Sequence, residues 1–202
     1  MPRLLSHLPK PNKVRIIGGI WRRRLLRFSS VADLRPTPDR VRETLFNWLG
    51  QDLSELTTLD LFAGSGALSF EALSRGATLA VAVDAGELAV ASLRENAATL
   101  GASGLDVHRA DAMAFLRRET RRFDLIFLDP PFHDEWLPRL WPLLPARLIP
   151  GGWLYVEQGQ PVQPPLGWEI FRHQRAGQVH YYLLRWISGN LADEENQRKQ
   201  ST

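Results

Sequence analysis

From Thr57 onward the chain alternates short apolar runs with amphipathic stretches. Residues 57–62 form an apolar run that ends in a Gly-rich turn, and the pattern then predicts a helix to Arg75. Residues 79–84 read as the next strand and 87–100 as a helix, with Val90, Leu93, Ala97 and Leu100 on one stripe and Gly101 as its stop. A third strand is expected over 105–109, a helix over 113–118, a fourth strand over 123–129 and a fifth over 152–157. Strand and helix repeating in this order predict a doubly wound, mostly parallel sheet with helices on both faces. The end of the pattern differs. Residues 168–174 and 179–186 flank Arg175-Ala176-Gly177-Gln178 without a helix between them, so they complete a seven-stranded sheet as an antiparallel pair at one edge.

Before this array the periodicity is shorter. Two β-branched runs, 14–17 and 20–26, surround Gly18-Gly19, which is a hairpin-turn signal. On such a hairpin Arg22 and Arg24 share one face of the second strand and Arg23 takes the other. An extended stretch follows from Leu34. Thr37 is placed to cap a helix whose first position suits Pro38, and Val41, Leu45, Trp48 and Leu49 make its apolar stripe before Gly50. From Ser188 the chain is polar. The expected organisation is an N-terminal arm and hairpin over 1–36, one α/β domain over 37–187 and a tail over 188–202.

Charge changes this picture through its distribution. Residues 1–42 hold eleven Lys and Arg against two acids, whereas the rest carries a net −6 within an overall +3. A basic arm on an acidic body suits a polyanionic partner, although a solvated terminus explains charge alone equally well. No cysteine is present, which removes disulfides and thiol chemistry, and the five histidines are scattered, so no metal site is expected. No apolar run reaches eighteen residues and the start lacks a secretory pattern, so neither a membrane span nor export is expected. A cytoplasmic address fits.

Candidate chemistry gathers at the strand ends, where doubly wound sheets bind ligands. Gly64 and Gly66, in the loop opened by Asp60 and Phe62, let backbone approach a ligand, and the place of a third dinucleotide-type glycine is taken by Ser69. Asp84 ends the second strand, where a carboxylate can accept from ribose hydroxyls or cap the next helix. Asp111, before Ala112, can accept from an adenine amine or likewise cap. The fourth strand ends in Asp129-Pro130-Pro131-Phe132. Prolines present carbonyls without competing N–H donors, Asp129 adds an anionic acceptor, and Phe132 offers a face for a base.

The order Asp60-x-Phe62-x-Gly64-x-Gly66, Asp84, Asp111, Asp129-Pro130-Pro131-Phe132 resembles the class I (Rossmann-like) S-adenosylmethionine-dependent methyltransferases that act on planar amines. More closely, the chain resembles the RsmD family, bacterial 16S ribosomal RNA guanine-N2 methyltransferases. The stretches that carry this likeness include Arg15-Ile16-Ile17-Gly18-Gly19, Leu34-Arg35-Pro36-Thr37, Asp39-Arg40-Val41-Arg42-Glu43-Thr44-Leu45-Phe46-Asn47, Glu71-Ala72-Leu73-Ser74-Arg75-Gly76-Ala77 and Ala176-Gly177-Gln178-Val179. The chain departs from the pattern at Arg22-Arg23-Arg24, where a central glycine is usual, and at Ala85-Gly86, where larger residues are usual.

The resemblance implies S-adenosylmethionine as cofactor, held by Asp60, Phe62, Gly64, Gly66, Asp84, Asp111 and Ala112. It implies catalysis by Asp129, Pro130, Pro131 and Phe132 on a flipped guanine of 16S ribosomal RNA, within the small subunit or an assembly intermediate, by a monomer. Arg22, Arg23, Arg24, Arg35 and Arg40 are the expected RNA contacts. Arg42 stands beside them, and for Arg35, Arg40 and Arg42 ion pairing with Asp33, Asp39 or Glu43 competes. A DNA adenine-N6 methyltransferase, with a similar Pro-Pro-aromatic site, is the nearest rival, but the chain leaves little room for a sequence-reading domain.

Overall fold

The computed structural model describes residues 12–28, 37–131 and 135–187. A two-stranded antiparallel ribbon, β1 (Asn12–Arg15) with β2 (Leu25–Phe28), precedes helix α1 (Asp39–Leu49). The main array follows as β3 (Thr57–Asp60), α2 (Ala67–Ser74), β4 (Leu79–Asp84), α3 (Glu87–Leu100), β5 (Leu105–Arg109), α4 (Ala112–Arg118), β6 (Phe123–Leu128), α5 (Trp136–Leu140), β7 (Leu148–Gln158), β8 (Trp168–Ala176) and β9 (Val179–Trp186). Seven strands form one sheet in the order β5-β4-β3-β6-β7-β9-β8, parallel from β5 to β7, with β9 antiparallel to both its neighbours. The strand order reverses between β3 and β6, which opens a crevice at their carboxyl ends.

Alternation along each strand sorts the core into two layers. Ala80, Ala82, Leu125, Phe127, Tyr155 and Leu183 face α1, α2 and α3. Val81, Val83, Ile126, Leu128, Leu154 and Leu184 face α4 and α5. Strands buried on both faces read as continuous apolar runs, which is why 57–62 and 123–128 stood out in the sequence. Among the described residues no helix is long and apolar enough to cross a membrane.

The N-terminal ribbon packs Val14, Ile16, Leu26 and Phe28 into the first of these layers. Its strands are shorter than the apolar runs suggest, and Arg22, Arg23 and Arg24 lie outside them, exposed in the connection. A shared strand face for Arg22 and Arg24 is therefore not formed, and Arg23 has a left-handed φ of 72°. The reason is a tertiary clamp. The amides of Ile17 and Gly18 donate to the Glu71 carboxylate, that of Ile20 to the Ser74 carbonyl and that of Trp21 to Ser74 Oγ. Gly19, at φ 70°, lies so close to α2 that an added Cβ would collide with the Ser74 carbonyl. The Gly-Gly segment is thus a docking site on α2, and the connection widens to reach it.

Helix α1 also departs from expectation. Pro38 occupies its N-cap with no side-chain bond, because the Thr37 hydroxyl donates to Asp129 at 3.2 Å instead. Its buried face includes Arg42 and Phe46 as well as Val41 and Leu45, while Trp48 and Leu49 are half-buried. Arg42 is fully buried, pairing with Asp39 at 2.7 Å and Glu71 at 3.2 Å, so it is not an RNA contact. Of the readings open for this residue, ion pairing is the one realised.

Candidate active site

Acidic residues end the adjacent strands of the sheet. Asp84 closes β4, Asp60 closes β3, Asp129 follows β6 and Glu157 lies at the end of β7. By alternation Asp60 shares the α2 side with Ala80 and Ala82 of the neighbouring strand, because Asp60 pairs with Ala82 in register. The β6–β7 register, Phe127 with Tyr155 and Leu128 with Val156, carries on to set Asp129 beside Glu157. At the other end of the row, next to β4, Asp111 stands just beyond β5. An ordinary sheet edge would not concentrate like charges in this way, since each raises the cost of ionising the next.

The Gly-rich loop is built around two of these acids. Asp84 Oδ2 accepts from the Gly64 amide at 2.8 Å and its Oδ1 from the Gly86 amide at 2.7 Å. Asp84 is therefore not a helix cap but the brace between two loops. Gly64 and Gly66 both have left-handed φ, 50° and 78°, which any side chain would strain. Gly66 opens α2, and an added Cβ there would collide with Leu93 and Phe70. Asp60 is buried, and its Oδ2 accepts from Ser69 Oγ at 2.8 Å. Its Oδ1 is buried with no hydrogen-bond partner. Burial first of all, with the nearby charges of Asp129 and Asp84 adding, pushes the Asp60 carboxyl up to about 7 against the bond from Ser69.

Phe62 is half-buried beside the loop, its ring 5.0 Å from that of Trp136 and edge-on to it. Asp111 is exposed and its Oδ1 accepts from the Ala114 amide at 2.9 Å, so it does cap α4, whose first residue, Ala112, is buried. Asp129 is half-buried and Pro130 buried. Burial pushes Asp129 up to about 6, opposed by the Thr37 hydroxyl. Phe132 and Arg35 lie outside the described residues. Arg22, Arg23, Arg24 and Arg40 are all exposed.

The structure thus gathers Asp60, Phe62, Gly64, Gly66, Asp84 and Asp129 around the crevice between β3 and β6, with Asp111 and Ala112 at its flank. Sequence reasoning missed Glu157 and Thr37. The signal for Glu157 was present, since its strand was expected to end on an acid as the others do. Thr37 gave no such signal, because its partner lies 92 residues away.

These residues fit S-adenosylmethionine. A buried, unpartnered carboxylate oxygen on Asp60 is what a cationic amino-acid end requires. Glycines in left-handed conformation bring backbone close, and Asp84 and Asp111 stand where ribose and adenine donors can be met. Fold and site together define a class I methyltransferase architecture.

Comparison with known proteins takes this one step further. Residues 14–185 match the family described as conserved hypothetical protein 95, and the chain belongs to that family. It is 41% identical over 193 residues to the ribosomal RNA small subunit methyltransferase D of Escherichia coli, covering 88% of this chain and 95% of that protein. The solved structure of the yhhF protein from Escherichia coli superposes with a TM-score of 0.80 at 40% identity, covering 88% of this chain and all of the other. A 16S rRNA N2 G1207 methyltransferase from T. thermophilus, in complex with AdoMet and guanosine, shares the fold at 21% identity with a TM-score of 0.68, covering 91% of this chain and 52% of that one.

Proposed function

We propose that this protein is an S-adenosylmethionine-dependent methyltransferase that methylates the exocyclic N2 amine of a guanine in 16S ribosomal RNA. The observation that carries the reading is Asp129-Pro130-Pro131 at the central strand end, with the Asp129 carboxylate held by Thr37. Support for the RNA substrate comes from the relatives named as small subunit rRNA methyltransferases.

When bound, S-adenosylmethionine supplies a methyl group already activated on a sulfonium, so the protein need only orient the nucleophile. Guanine N2 is a weak nucleophile because its lone pair is delocalised into the ring. Asp129 and the Pro130 carbonyl accept its two hydrogens, which favours a pyramidal nitrogen and stabilises the positive charge that develops as the N–C bond forms. Asp129 then takes the amine proton. Raised to about 6, it is still an anion near neutrality yet a stronger base than an ordinary carboxylate. Phe132 is placed by sequence to stack on the flipped base. Asp60, Asp84, Gly64, Gly66, Phe62, Asp111 and Ala112 hold the cofactor, and Arg22, Arg23, Arg24, Arg35 and Arg40 meet RNA phosphates. The same reading places a monomer in the cytoplasm, acting on small subunits or their assembly intermediates.

The test is transfer of labelled methyl to naked 16S ribosomal RNA, to small subunits and to DNA, followed by nucleoside analysis. Label in N2-methylguanosine from a ribosomal substrate is expected. Label in N6-methyladenosine, or in DNA alone, would overturn the assignment.

A further inference from the structure

Glu157 is buried at the end of β7 beside Asp129, and the proposed reaction leaves it without a task. Its Oε1 accepts from the Tyr155 hydroxyl at 2.7 Å. The Thr37 hydroxyl, which donates to Asp129 Oδ2 at 3.2 Å, is also within hydrogen-bonding reach of the Glu157 carboxyl. One hydroxyl proton therefore stands between two carboxyl groups. If both were ionised, one would lack this donor and two adjacent anions would repel each other.

A single shared proton resolves every contact at once, and it falls on Glu157, the more deeply buried of the two carboxyls, Asp129 being half-buried. The Glu157 hydroxyl donates to Thr37 Oγ1, Thr37 donates to Asp129 Oδ2, and Tyr155 donates to Glu157 Oε1. Asp129 Oδ1 is then the oxygen left to face an amine. We propose that Glu157 is a positioning residue: carrying its proton, it acts through Thr37 to hold Asp129 as the single oriented anion of the amine site.

The surroundings agree. Burial, then the charge of Asp129, pushes Glu157 up to about 8, against the bonds from Tyr155 and Thr37 and the charge of Arg42. The groups that face this carboxyl are Asp129 from β6, Tyr155 on its own strand, Tyr181 opposite it on β9 and Arg42 from α1. Tyr181 is engaged elsewhere, donating to Gln174 Oε1 at 2.7 Å and stacking on Trp48. Between about 6 and about 8 the two carboxyls share one proton.

The proposal rests on the amine-site reading of Asp129, and its experiment separates the two. Single-turnover methylation of the RNA substrate is measured against pH for the wild type, Glu157→Gln, Thr37→Val and Thr37→Ser, with melting and S-adenosylmethionine binding followed in parallel. The wild-type rate rises and then falls above about pH 8 as Glu157 ionises. In Glu157→Gln the amide still donates to Thr37 and accepts from Tyr155 but cannot ionise, so the alkaline fall disappears. Titrations of the RNA itself are common to all variants and cancel in the comparison. Thr37→Val keeps the side-chain shape but breaks the chain of hydrogen bonds, and lowers the rate roughly tenfold, the worth of one hydrogen bond to a charged group. Thr37→Ser restores it. An alkaline limb unchanged in Glu157→Gln, or Thr37→Val at the wild-type rate, overturns the positioning role. Full activity of Asp129→Ala would instead overturn the amine site itself.

Discussion

Asp129 and Asp84 sit two strands apart in the sheet, and their hydrogen bonds predict different failures when each is truncated. Asp129 bonds only Thr37 among the described residues, so Asp129→Ala should fold, bind S-adenosylmethionine and lose at least about a hundredfold in turnover. Single-turnover rates that hold up would exclude it from the chemistry. Asp84 accepts from two loop amides, so Asp84→Ala both removes the acceptor proposed for the cofactor ribose and loosens the Gly64 loop. Calorimetry should show S-adenosylmethionine binding weakened roughly ten- to a hundredfold, the worth of a charged hydrogen bond. The buried acids also make stability depend on pH. Glu157 titrates near 4.5 in the unfolded chain and near 8 in the fold, so its favourable contribution is complete below the lower value and is lost as pH rises through the upper one. Glu157→Gln removes that loss. The melting temperature of the variant relative to wild type should therefore climb between pH 5 and pH 8, and a flat difference would count against the raised value.

Elements that bury both faces were legible in the sequence, because continuous apolar strands and one-sided helices leave different periods. The five strands of the βα array and the antiparallel pair were found within a few residues, and so were the acids at the ends of β4 and β6. What could not be read was whatever a distant partner decides. Arg42 looks like a surface cation on a helix until Glu71 and Asp39 are seen to enclose it. Gly18-Gly19 looks like a tight turn until α2 claims its amides. Glu71 is the common partner: fully buried, it receives Arg42, Arg75 and two backbone N–H groups. Removing one cation from such a group leaves a buried charge short of a partner. Arg42→Ala should cost about 3–5 kcal/mol in chemical denaturation, far more than an exposed pair. A loss below about 1 kcal/mol would mean that Glu71 is satisfied without it.

At the scale of the whole molecule, the ribbon that carries the basic turn shares its core with α1, α2 and α3. Arg22, Arg23 and Arg24 are exposed in the turn rather than divided between strand faces. All three are thus available to phosphate. Replacing all three by Ala should flatten the log-affinity against log-salt slope for RNA by roughly 0.7 to 0.9 for every phosphate that is no longer neutralised. Binding of S-adenosylmethionine should not change. A slope that stays put across a salt titration would mean that these arginines are only solvated. The ribbon has one more consequence, for the order in which the protein is made. Its amides at Ile17 and Trp21 bond side chains 54 and 53 residues further along, and Arg27 bonds Asn96, 69 residues on. At about 5–20 residues per second of synthesis, the ribbon waits roughly 3 to 11 s for α2 to be made. The first segment of the described fold to leave the ribosome therefore cannot be completed until α2 and α3 have followed it, and a nascent chain stopped short of α2 should leave it open to proteolysis.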